Sequence, residues 1–458
     1  MPARQDRIVR WVASLLIAAL VPAIWWITTS PAQPEVAGLY SFRRAAFNLA
    51  VTAAGLAVVY LLLGGKSTRH KVLVLLSQAT AIGLCWLILE IPALLFGFDY
   101  QRIFGAATDA TELDLSSSRT NKPDPVLIHI HWPNSSFSGE VAGNLAHLGI
   151  PRPPRHKADV RYDRNGFRND REFDLADIVV IGDSFVEAAI VARDRTLVGQ
   201  LESRLKLPTA NLGQIAYGFR QELEVLRRFA PPLSPKLVIW VVFGGNDFRD
   251  IEFYERQVKR FSAPQIPVTL EQRLGLRNAL VAGGKVLVDA LRSVSGEPTQ
   301  SALNHSGLFT RSDGVTERVY FDPPEESPTP YQWEVAMGTL NEARRLSLGI
   351  GAEFVVVYVP RKFRVYRDHL RISNEHGIAT WAVNDLQGEL GKWCFHNDIP
   401  FVDTTARMGQ VVARGEHPYF VDDVHWNEVG HATAAEAVIA LLESRRLYPF
   451  GPRRSRVP

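Results

Sequence analysis

A serine can carry out acyl transfer when four things coincide. These are a hydroxyl presented at a sharp turn, a base to take its proton, a group that orients the base, and donors aimed at the developing oxyanion. The sequence offers residues of each type. Gly182-Asp183-Ser184 ends an apolar run, so a strand-to-helix turn there would expose the Ser184 hydroxyl and leave its backbone N–H free to donate. Asp422 and His425 stand three residues apart in DDVHWNEVGH, a spacing that lets a carboxylate reach an imidazole of the same loop. Asn246, in FGGND, can donate through its side-chain amide, and the turn from Asn211 to Gly218 (NLGQIAYG) can donate a backbone N–H.

These residues need a frame, and the hydrophobic pattern supplies one. DIVVIGDS (177–184), PTANLG (208–213), KLVIWVVFGGND (236–247), EFVVVYVP (353–360) and IPFVDTT (399–405) read as five short strands, most of them apolar throughout. Between them, 196–205, 219–229, 331–351, 381–397 and 427–445 have helical spacing. Apolar strands alternating with helices predict a parallel sheet covered on both faces. In such sheets ligands bind beyond the carboxyl ends of the strands. Ser184, the segment after Asn211, and Gly244 to Asp247 all fall at strand exits.

The blocks IGDSF, NLGQIAYG, FGGND and DDVH resemble, in order and placement, the four sequence blocks of the GDSL/SGNH hydrolase family. The resemblance runs from about residue 161 to 450. It implies a three-layer, flavodoxin-like α/β/α fold. It also implies a serine esterase or O-acyltransferase with Ser184 as nucleophile, and with Asp422 and His425 completing the triad. Asp423 competes for the orienting role, and the family spacing favours Asp422. The oxyanion hole would draw on the Ser184 N–H and on Asn246. The family's remaining donor is a glycine five residues after the block-two asparagine. Here that position is Ala216, which would serve if its φ is not positive; otherwise the register slips and Gly213 donates. No cofactor or metal is implied. His431 reads as structural or exposed, and Asp183 and Asp247 as supports for their turns. A further stretch, VPRKFRVY (359–366), is similar to a Pro-x-Lys-x-x-x-Tyr pattern in SGNH-like proteins related to alginate O-acetyltransferase subunits. Without that resemblance it reads as a surface loop with Lys362 exposed.

Composition bounds the rest. The chain has 458 residues, 46% hydrophobic and 22% charged, with a formal net charge of +3. That charge is too small to argue for nucleic acid, and no zinc-finger, P-loop or RNA-binding pattern is present. The two cysteines, Cys85 and Cys394, cannot make a zinc site alone. Three apolar stretches, 11–28, 45–63 and 72–96, each approach the about 20 residues needed to cross a bilayer. Arg4, Arg7 and Arg10 precede the first, and Lys66, Arg69 and Lys71 lie between the second and third. That bias places the N-terminus in the cytoplasm and the bulk of the chain outside it, which would be the periplasm if the cell is bacterial.

The expected organisation is therefore a three-span membrane anchor (1–97), a connector (98–160) and the SGNH-like domain (161–450). An insertion at about 248–330 is expected to act as a cap over the serine. The expected partners are the lipid bilayer, an ester or glycan substrate and a membrane-bound acyl-donor protein. The other class of function that fits is a non-catalytic binding or assembly subunit on an SGNH scaffold.

Overall fold

The computed structural model describes residues 2–28, 42–63, 65–96, 120–262, 298–324, 326–372 and 377–448. They fall into two compact units. The first contains three helices, α1 (Pro2–Ile27), α2 (Phe42–Leu63) and α3 (Thr68–Phe96). Polar contacts tie α1 to α2: Trp25 Nε1 donates to Thr52 Oγ1 at 3.0 Å, and Asn48 Nδ2 to Thr28 Oγ1 at 2.7 Å. Among the described residues one helix, Val9–Ile27 with mean hydropathy 1.7, is long and apolar enough to cross a membrane, and the apolar stretch Phe47–Leu63 is shorter. Of the three expected spans, one therefore qualifies among the described residues. Placed near the N-terminus, it fits a membrane anchor and a leader sequence equally.

The second unit is built on a five-stranded parallel sheet. Its strands are β5 (Ile178–Gly182), β6 (Thr209–Gly213), β7 (Leu237–Phe243), β10 (Glu353–Val359) and β11 (Phe401–Asp403). Their spatial order is β11-β10-β7-β5-β6, with every pairing parallel. Numbered by their own succession this is 2-1-3-4-5 read from the β6 edge, the doubly wound flavodoxin-like order. The strands are apolar throughout because both faces are covered. Val179, Ile181, Val238, Trp240 and Val242 join one core, while Ile178, Val180, Leu237, Ile239 and Val241 join the other. Each fully buried side chain of this size contributes about 1.5–3 kcal/mol over leaving it in water.

Helices α6 (Phe219–Leu233), α8 (Pro330–Gly349) and α10 (Leu386–His396) cover the first face, through residues such as Leu226, Leu340 and Leu390. Helices α5 (Leu197–Leu205), α11 (Thr405–Ala413) and α12 (Glu428–Ser444) cover the second, through Leu201, Met408 and Val438. Local signals set their starts. Thr329 and Gln332 form a reciprocal capping box at α8, with Pro330 at its first position. Asn427 Oδ1 accepts the Val429 and Gly430 N–H groups at the start of α12.

The stretch expected as a connector is structural where it is described. It forms two antiparallel hairpins, β1 (Asn121–Asp124) with β2 (Ile128–His131) and β3 (Ser136–Ala142) with β4 (Arg155–Arg161). Part of the expected insertion is also ordered, as α7 (Asp247–Ser262) and the hairpin β8 (Ser306–Thr310) with β9 (Thr316–Tyr320). Its helix-like portion, and with it the expected cap, lies outside the described residues.

Candidate active site

Strand β5 ends at Gly182, where close packing fixes the residue type. A Cβ there would lie 2.6 Å from Val186 Cγ2 and 3.1 Å from Val241 Cβ. The chain then turns into the one-turn helix α4 (Ser184–Glu187), capped by Asp183, whose Oδ1 accepts the Phe185 N–H at 2.9 Å. This places Ser184 at the first helical position, half-buried, with its N–H bonded to no acceptor among the described residues. Ser184 Oγ lies 2.7 Å from His425 Nε2.

His425 sits on the loop before α12. Its Nδ1 is 2.6 Å from Asp423 Oδ1, which also accepts the His425 backbone N–H at 2.8 Å. Asp423 Oδ2 accepts the Asn144 N–H at 2.7 Å. Burial alone would raise the Asp423 pKa, but the charge and hydrogen bond of His425, with the two N–H groups, outweigh it and hold it at about 2. Burial works against a charged His425, yet the Asp423 carboxylate, aided by Asp183 and Asp322, raises its pKa above 6.5. The imidazole is thereby held with one ring nitrogen on a carboxylate and the other on a hydroxyl, the arrangement a general base requires.

Asp422 does not hold His425, contrary to the family-spacing expectation. Its Oδ1 pairs with His156 Nε2 at 2.9 Å, and its Oδ2 is buried with no hydrogen-bond partner among the described residues. The space beside that oxygen is closed by Gly143, where a Cβ would lie 2.3 Å away. The two neighbouring carboxylates diverge, and only Asp423 closes a short ring with both the backbone N–H and the imidazole of His425.

For the third oxyanion donor, the expected condition and the expected fallback both fail. The Gly213 N–H is already given to Asn211 Oδ1 at 2.8 Å, so Gly213 is not an available donor. Ala216 has φ +60°, so the condition set for it is not met. A left-handed Ala costs about 1–2 kcal/mol, but that strain resides in its Cβ and leaves its N–H able to donate. That N–H is bonded to no acceptor among the described residues, and Ala216 is exposed. Asn246 Nδ2 donates to Asp250 Oδ2, with the second N–H of the same amide remaining. Ser184, Ala216 and Asn246 follow β5, β6 and β7, which are adjacent in the order β6-β5-β7.

Several supporting residues carried no usable sequence signal. Glu187 is 1% exposed and accepts from Tyr162 Oη at 2.7 Å and the Ile215 N–H at 2.6 Å, with His131 Nε2 at 3.0 Å. It therefore anchors the turn carrying Ala216 to both α4 and the N-terminal hairpins. Asp183, Glu222 and Asp247 lie buried behind Ser184. Burial raises Asp183 to about 6 and the other two well above the carboxylate range. Asp247 Oδ2 accepts the Phe243 N–H at 2.7 Å, a turn support as expected. His431 is buried and accepts the Leu197 N–H at 3.1 Å, a structural role.

A doubly wound parallel sheet with a serine–histidine–aspartate chain at its strand exits defines a hydrolase-like α/β protein. Residues 334–455 match the family described as SGNH hydrolase-like domain, acetyltransferase AlgX. No curated protein matches the chain. Similar solved structures include a proposed acylhydrolase from Bacteroides fragilis (14% identity, TM-score 0.29, 58% of this chain and 86% of the other). A GDSL-like lipase from Bacteroides thetaiotaomicron is equally similar (14%, TM-score 0.29, 58% and 88%). An acetyl xylan esterase from Butyrivibrio proteoclasticus is also among them (9%, TM-score 0.27, 64% and 71%). Likeness at that level carries no argument about activity.

Proposed function

We propose that the chain is a serine-dependent acyl-ester hydrolase or O-acyltransferase. The observation that carries this reading is the continuous chain from Ser184 Oγ to His425 Nε2 at 2.7 Å and from His425 Nδ1 to Asp423 Oδ1 at 2.6 Å. Ser184 Oγ attacks the acyl carbonyl as its proton passes to His425, and Asp423 stabilises the imidazolium. The tetrahedral oxyanion is received by the Ser184 and Ala216 N–H groups and the Asn246 amide. The carbon–oxygen bond to the leaving group then breaks as His425 returns the proton to that oxygen. Water or a sugar hydroxyl next gives its proton to His425 and attacks the acyl-serine; the carbon–Oγ bond breaks as His425 returns the proton to Ser184 Oγ, releasing an acid or a new ester.

The substrate in this reading is an extracytoplasmic glycan or lipid-linked sugar, with the Val9–Ile27 helix holding the enzyme at the bilayer near a membrane-bound acyl donor. The apolar helix and the acetyltransferase description of the matched family support it. The test is fluorophosphonate labelling of the full-length chain in detergent, with Ser184→Ala as control. Labelling that depends on Ser184 is expected. Its absence would favour the non-catalytic scaffold. Acyl donors offered with and without a glycan acceptor then separate hydrolase from transferase.

A further inference from the structure

Lys362 begins the short helix α9 (Lys362–Tyr366) at the exit of β10 and is 0% exposed. The exposed surface loop that composition alone suggests is therefore not what forms. Its Nζ donates to three backbone carbonyls, those of Phe420 at 2.5 Å, Val421 at 2.9 Å and Asp423 at 3.1 Å. An ammonium has three N–H donors, and all three are used on one loop. The Phe321 ring lies 5.3 Å from the same nitrogen. Two further bonds join the same segments: Tyr366 Oη lies 2.9 Å from His417 Nδ1, and Tyr419 Oη donates to the Pro360 carbonyl at 2.6 Å.

We propose that Lys362 is a positioning residue for the catalytic base: by clamping the carbonyls of 420, 421 and 423, its ammonium sets the backbone from which Asp423 and His425 reach Ser184. This rests on the reading of Ser184 as the nucleophile. Charge state matters to the clamp. A neutral amine has two donors and a lone pair, so deprotonation replaces one bond with a lone pair facing a carbonyl oxygen. The charged groups facing Lys362 are Asp423 and Asp422 on the clamped loop and Asp322 after β9, with His417 on the preceding segment. Burial pulls the Lys362 pKa down, against the three aspartates, to about 7.

The experiment follows fluorophosphonate labelling of the full-length chain against pH, with thermal melting recorded in parallel. Wild type should show a bell: an acid limb from His425 and an alkaline limb as Lys362 loses its proton. Lys362→Met should label on the order of 10²-fold more slowly at about pH 6, because the base is displaced, and should show no alkaline limb. Lys362→Arg keeps its charge to high pH, so it should recover part of the rate and also lack that limb. Arg364→Met, a change on the same helix to a side chain that bonds Asn384, should behave as wild type. An alkaline limb that persists in both Lys362 variants overturns the proposal. So does a folded Lys362→Met with wild-type rate, or a wild-type profile flat above about pH 7, whatever the folding of the variants. Absence of Ser184-dependent labelling in wild type would instead remove the serine reading itself.

Discussion

His156 Nε2 lies 2.9 Å from Asp422 Oδ1, so the carboxylate beside the one that holds His425 is already engaged by another imidazole. The two aspartates of one dipeptide thus have separate duties: Asp423 faces the base, and Asp422 faces the β3–β4 hairpin.

Asp423→Asn should lower turnover by about 10⁴-fold, since an amide cannot hold the imidazole in the same tautomer or stabilise its charge. Asp422→Asn keeps the shape and leaves the His425 contact intact, so its loss should be far smaller. Steady-state hydrolysis of a short acyl ester by both variants checks the ranking, and equal losses would reverse the assignment.

The pH dependence has a definite sign. In the proposed mechanism His425 acts when neutral and its pKa is raised above 6.5, so the acid limb of the rate profile should have its midpoint above that value. In Asp423→Asn the residual rate should climb at lower pH, because the carboxylate that raised the pKa is gone. Stability at the acid end has the same sign, rising with pH. The Asp423 pKa is depressed to about 2, so its contribution is present above about pH 4 and is lost as pH falls through about 2. Wild type should therefore lose more melting temperature than Asp423→Asn over that window.

Asn246→Ala should cost about 10²–10³ in turnover with little change in KM, the signature of a donor used at the transition state. Unchanged turnover would remove Asn246 from the oxyanion hole.

Ala216→Gly should raise stability by up to about 1 kcal/mol, because the left-handed strain of the Ala Cβ outweighs the extra chain entropy of glycine. Ala216→Val should lower it. Thermal melting of the two variants checks the sign, and labelling of Ala216→Gly should be retained.

The sheet was legible because its strands are buried on both faces and therefore read as unbroken apolar runs. Val238 to Phe243 could hardly be anything else. The four blocks were legible because strand exits place short polar clusters directly after such runs. The choice between Asp422 and Asp423 was not, since adjacent residues of the same type differ only in which way the loop turns them. Asn144 donates its backbone N–H to Asp423 and accepts the Val424 N–H on Oδ1 at 3.1 Å, contacts too distant in the chain for any local pattern to reveal. Lys362 was marked by the Pro-x-Lys-x-x-x-Tyr pattern, but its burial depends on carbonyls about 60 residues downstream that no local pattern reveals.

The Asn144–Asp423 hydrogen bond spans 279 residues, and the His156–Asp422 pair spans 266. Contacts this distant in the chain require costly loop closure before they contribute. During synthesis the serine turn and its central strands are made long before the loop that will activate them. Ser184 and His425 stand 241 residues apart, so the hydroxyl can meet its imidazole only after the last strand and the loop beyond it have been made.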